Sequence, residues 1–140
     1  MRRRRMGYLM EETGLDGRAL GALMMEMVTA AENYGRLAGC FSLWQAEALK
    51  RMARECKAQA SCVGGICALI MGEAPEKHLP CPDTGTLAVR LKKAYARAMR
   101  LLSACEGYST DPEYGAVFRR LTITQQEHCR KILEIIGSLS

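Results

Sequence analysis

Apolar residues recur every three to four positions in four stretches of this chain, and glycine or proline separates the stretches. That period predicts four amphipathic helices. The first spans about 16–38, with Leu20, Leu23, Met27, Ala30, Ala31, Tyr34 and Leu37 as its apolar stripe, and Gly39 closes it. The second follows Ser42, which with Gln45 makes a capping-box pattern, and runs to about Met71 before Gly72. Its stripe reads Trp44, Ala48, Met52, Glu55, Gln59, Cys62 and Ile66, so a glutamate falls where core is expected. The third helix spans about 84–107. Asp111, Pro112 and Glu113 form a start signal for the fourth, which runs to about Ile136. Phe118, Leu121, Gln125, His128, Ile132 and Ile135 are its stripe.

Link lengths extend this reading to topology. The first and last links are short, which makes each flanking pair of helices antiparallel neighbours. The middle link, 72–83, contains Pro75, Pro80 and Pro82 and is not a continuous helix. Twelve residues stretch to about 40 Å, against about 45 Å for a thirty-residue helix. The link can therefore run most of the way along the bundle, and we expect the third helix to begin near the end where the first began. The expected fold is all-α: two helical hairpins joined by one long crossover between the second and third helices.

Composition narrows the class. At 140 residues the chain is one domain with room for a core, and apolar residues make up 49% of it. The net charge is +5, but Arg2, Arg3, Arg4 and Arg5 supply four positives. Without them 16 basic residues face 15 acidic ones, so the body is nearly neutral and does not read as a nucleic-acid groove. We divide the chain into a basic tail with a short N-terminal segment, 1–15, and a bundle, 16–140; a short extra helix is expected around Tyr8 to Glu12. No long apolar run or signal-peptide core is present, which excludes a membrane span. The seven cysteines are odd in number and form no Cys-x-x-Cys pair, so a reduced, cytoplasmic setting fits best.

One motif occurs twice, damaged in opposite ways. Glu55 lacks a histidine three residues on, where Ala58 stands; His128 lacks a glutamate three residues before it, where Gln125 stands. Two inward Glu-x-x-His pairs are how a four-helix bundle holds two iron atoms. Phe118, Gln125 and His128 together resemble the last helix of rubrerythrin-type ferritin-like domains, which carry a phenylalanine, a glutamate seven residues on and a histidine three further. Ala31 to Ala38, with Tyr34, is similar to the family's first helix, and Arg51 to Ile66 to its second. The resemblance covers most of residues 20–138. It implies a ferritin-like antiparallel four-helix bundle, with a di-iron site of six protein ligands that reacts with peroxide or oxygen.

The implied ligands are mostly missing. The first-helix position is Met27, and Glu26 and Glu32 lie about 100° and 140° around the helix from it. The second helix offers Glu55 but Ala58, and the fourth His128 but Gln125. No carboxylate occurs between Thr84 and Cys105. Two ferrous ions need several carboxylates in a low-dielectric core, and this chain offers one. An intact di-iron centre and its peroxidase chemistry are therefore not expected, and the 140 residues include no rubredoxin-like module with paired cysteines.

Two readings of the remnant stay open. Glu55 and His128 can form a hydrogen-bonded acid–imidazole pair with no cofactor. Alternatively one zinc or iron ion is held by Glu55, His128 and the Gln125 carbonyl, with water or Cys62 completing the shell; a thiolate would favour zinc. Cys129 beside His128 and Cys105 beside Glu106 point about 100° away from their neighbours, so neither reads as an activated thiol. His78, with Cys81 close by, reads as an ordinary loop histidine, with a surface metal site as the weaker reading. The four arginines are a solvated tail or a salt-sensitive nucleic-acid arm, and some ferritin-like proteins of stressed bacteria have such tails. Met24, Met25, Met27, Met52, Met71 and Met99 are mostly core filler or mark a helix face suited to a homodimer. The functional expectation is a structural or interaction module with a degenerate metal site. The alternatives are a mononuclear metal or residual redox protein, and nucleic-acid association.

Overall fold

The computed structural model describes residues 14–140 and contains four α-helices with no strand among those residues. They are α1 (Gly17–Ala38), α2 (Trp44–Met71), α3 (Leu87–Gly107) and α4 (Gly115–Gly137). The arginines at 2–5 and the short helix expected around Tyr8 lie outside the described residues. No helix among the described residues is long and apolar enough to cross a membrane.

Local chemistry sets most boundaries. The Asp16 carboxylate accepts from the Arg18 N–H at 3.1 Å, and the Thr86 hydroxyl accepts from the Val89 N–H at 3.2 Å, so α1 and α3 begin where a side chain satisfies an orphan donor. Gly72, at φ 83°, ends α2 with its N–H on the Ala68 carbonyl. Two predicted starts differ. Leu43, not Ser42, precedes α2 and gives no side-chain cap. The Gln45 amide of the expected capping box donates to the Ser138 hydroxyl instead, tying the start of α2 to the end of α4. Asp111 does not open α4 directly. Its carboxylate accepts from the Glu113 and Tyr114 N–H groups, which closes a turn, and from the Gly14 N–H at 3.1 Å. The helix begins at Gly115, where a Cβ would sit 2.5 Å from the Ser109 carbonyl oxygen. Only glycine lets the α3–α4 loop approach so closely.

Four pairs of helices touch: α1 with α2, α3 with α4, α1 with α3, and α2 with α4. Gly17 lies beside Ile70 and Met71, so α1 and α2 are antiparallel. Glu55 meets His128 while Gln45 meets Ser138, so α2 and α4 are too. Arg90 reaches Cys40 and Arg100 reaches Glu26, which makes α1 and α3 antiparallel. The link after α2 lies against α1: Pro75 is near Gly21, the His78 N–H points at the Met25 sulfur, and Asn33 binds Cys81 and Asp83. The third helix thus begins beside the end of α1, contrary to the expectation that it begins where α1 does. The reason is that α2 has already returned to the start of α1, so a link along α1 leads away from that end.

The core is built from the predicted stripes with one rotation. All seven residues of the α1 stripe are buried, and so are Phe118, Gln125, His128, Ile132 and Ile135 of α4. Met24, Met27 and Met52 are core, whereas Met71 and Met99 are exposed. In α2 the expected Ala48, Met52, Gln59 and Ile66 are buried, but Cys62 and Trp44 are exposed, and Leu49, Cys56, Ala60 and Val63 are buried instead. The buried face of α2 is turned toward α1, its most extensive neighbour. The apolar period located most of this face and missed only the turn that brings Cys56, rather than Glu55, inward.

Candidate functional site

The inward pair on α2 is Cys56 and Gln59, one residue round from the Glu55 and Ala58 of the sequence motif. Cys56 and Gln59 are buried, Ala58 is exposed, and the Glu55 side chain is 39% exposed. Positions i and i+3 share a helix face, so a one-residue rotation of about 100° turns both members of the motif toward the bundle edge. The matching pair on α4 is Gln125 and His128, both buried. The two pairs cross: Cys56 meets His128 and Gln59 meets Gln125.

Hydrogen bonding assigns the protons. His128 Nε2 lies 2.7 Å from Glu55 Oε1. A carboxylate oxygen accepts, so Nε2 carries the hydrogen, and Nδ1 is left as an acceptor facing the Cys56 thiol at 3.8 Å. The Gln125 amide donates to Gln59 Oε1 at 2.7 Å and points at the Cys56 sulfur at 3.9 Å. Tyr34 of α1 meets the His128 ring edge-on, with centroids 5.7 Å apart. Among the described residues the Tyr34 hydroxyl and Gln125 Oε1 are buried without a hydrogen-bond partner.

Burial governs the acid–base behaviour. It lowers the His128 pKa from the ordinary 6.5, against the opposing pull of Glu55, so the ring is held neutral. It pushes the Cys56 thiol up to about 12 and the Tyr34 phenol well above its usual range. The order thiol, imidazole, carboxylate is that of a nucleophile with its base and orienting acid. A thiol with its pKa raised this far by burial stays protonated near neutral pH, and Cys56 is fully buried. The groups form a chain of contacts, Cys56 to His128 to Glu55, in which the buried thiol is held protonated. On the Glu55 side it opens into a recess of about 220 Å³ whose rim carries Arg51, Glu127, Arg130 and Lys131.

The sequence-predicted residues come together only in part. Glu55 and His128 touch, but Gln125 lies on the other side of the ring with Cys56 and Gln59. Cys62, considered as a fourth donor, is exposed and lies by Arg120 and Thr124. Among the described residues no group of three or more His, Cys, Asp or Glu side chains is placed to hold a metal ion. Cys129 turns from its neighbour His128 to the Met99 sulfur at 3.6 Å, and burial raises the Cys105 thiol to about 12. At position 27 the fully buried Met27 side chain is packed into the core.

A second buried polar cluster was not anticipated. Arg97 of α3 makes a two-pronged contact with Asp83, at 2.7 and 3.1 Å, and both side chains are only 10% exposed. Asn33 accepts from the Asp83 N–H at 2.8 Å and donates to the Cys81 and Thr29 carbonyls. The signal was present: Asn33 and Arg97 each sit on an apolar helix face beside Tyr34 and Ala98, where a polar residue needs a buried partner. The partner lay in the link, whose path the helical period does not describe. No protein-family profile matches the chain, and neither a curated protein nor a solved structure matches it.

Proposed function

We propose that this chain is a ferritin-like, rubrerythrin-type bundle with a degenerate metal centre, acting as a structural or interaction module rather than a catalyst. The resemblance of Phe118, Gln125 and His128 to the family's last helix supports the ancestry. The packing order, and a link that follows α1 from Gly21 to Asn33, support the long crossover.

The observation that carries the reading is the pair of crossed contacts at the bundle centre. On the inward faces of α2 and α4, Cys56 faces His128 and Gln59 faces Gln125, and these groups contact one another. The donor set does not fit a di-iron centre. Two ferrous ions bring four positive charges, and the side chains at hand are a buried methionine, two neutral amides, a protonated thiol, an imidazole and one half-exposed carboxylate. Charge without compensation in such an interior is strongly unfavourable.

The test is metal analysis of protein purified without nickel from cells supplied with iron and zinc. The expected content is well below one ion per chain in the wild type. Stoichiometric metal that disappears in His128→Ala would overturn the reading. It would favour the mononuclear alternative, for which the direct Glu55–His128 contact is the supporting observation.

A further inference from the structure

Residues 1–13 combine two features that the bundle centre leaves unused: the four arginines at 2–5, and the apolar run Met6, Tyr8, Leu9 and Met10. A groove of about 890 Å³ lies between the N-terminal half of α1, the end of α2 and the link. Gly21, Met25, Met71 and Pro75 give it an apolar lining, and Glu26, Glu73 and Glu76 give it an acidic side. Among the described residues Glu73 and Glu76 make no ion pair, and Glu26 has only an exposed 3.5 Å contact with Arg100. Arg18 and His78 are the groove's own basic groups.

We propose that this groove is the docking site for residues 2–10 of the same chain, with the apolar run on the methionine and proline lining and the arginines against the three glutamates. The tether makes this occupant the favoured one. Gly14 is anchored to Asp111 only three residues before Gly17, which itself lines the groove. Twelve extended residues reach about 40 Å, whereas the stretch of α1 along the groove, Gly17 to Thr29, is about 18 Å long. A segment tethered this closely sees its site at an effective concentration on the order of millimolar, so modest contacts suffice. The arginines and the three glutamates are opposite in charge, which also makes the proposed contact salt-sensitive. The inference does not depend on what the bundle centre holds.

The experiment is hydrogen exchange read by mass spectrometry on the full chain, following residues 72–78, most of whose amides have no helical partner. Two full-length variants are compared with the wild type: L9D/M10D, which removes apolar contact, and R3E/R4E, which reverses charge. The expected result is exchange about fivefold or more faster in either variant, as release of a tethered segment predicts. Partial recovery of protection should follow when R3E/R4E is combined with E73K/E76K. Identical exchange in the wild type and both variants overturns the proposal. Protection that grows with protein concentration also overturns it, because the segment then occupies the groove of a second copy. Unchanged exchange together with weaker low-salt DNA retention in R3E/R4E would assign the arginines to nucleic acid instead.

Discussion

Replacing Arg97 by methionine should destabilise the protein more than any other single change outside the apolar core. The substitution keeps most of the side-chain volume but removes the guanidinium that meets Asp83 at 2.7 and 3.1 Å. Asp83 is then left with one N–H bonded to Asn33 and a carboxylate that is only 10% exposed. Removing one partner of a buried ion pair costs about 3–5 kcal/mol, because the remaining charge stays desolvated. The slight exposure here and the ease with which a link can shift argue for the lower end, about 3 kcal/mol. Asp83→Asn should cost less than Arg97→Met, and the double variant should be more stable than the two losses added together. A coupling of about 1–3 kcal/mol is expected for groups in direct contact. Urea denaturation followed by far-ultraviolet circular dichroism measures all four proteins. At about 3–4 °C per kcal/mol for a chain of this size, Arg97→Met should also lower Tm by about 10 °C. A loss under about 1 kcal/mol for Arg97→Met, or coupling indistinguishable from zero, would refute the claim that this pair fastens the link to the bundle.

Three further outcomes follow from the bundle centre. Gln59→Leu should cost about 1–3 kcal/mol by leaving the Gln125 amide buried and unpaired, and adding Gln125→Leu should recover much of that loss in urea melts. Burial lowers the folded-state pKa of His128 below its unfolded value of 6.5, so its contribution to stability is fully present above 6.5 and is lost as pH falls from there through the folded value; His128→Gln should flatten that part of a stability–pH curve. With a chromogenic disulfide at pH 8, the exposed Cys40, Cys62 and Cys81 should react quickly. The buried Cys56, Cys67, Cys105 and Cys129 should react only on unfolding, and fast native-state labelling of Cys56 would contradict its burial and its pKa near 12.

Four amphipathic helices, their lengths to within a few residues, and the apolar stripes of α1 and α4 were legible in the sequence, because a helix buries one face and the period of 3.6 records which. The pairing of short-linked helices was legible for a similar reason: a few residues leave no other neighbour within reach. Within α2 the apolar period already placed Ala48, Met52, Gln59 and Ile66 inward, and tertiary structure decided that Cys56 rather than Glu55 completes the centre. Glu55 carries the motif, yet it lies at the bundle edge while Cys56 meets His128 beside Gln59, because the rotation of α2 is set by its packing against α1 and α4 and not by its own period. The Asn33–Asp83–Arg97 cluster likewise depended on tertiary structure. Its members are far apart along the chain, and they meet only because the link lies against α1, which depends on packing between elements and not on the period within any one of them.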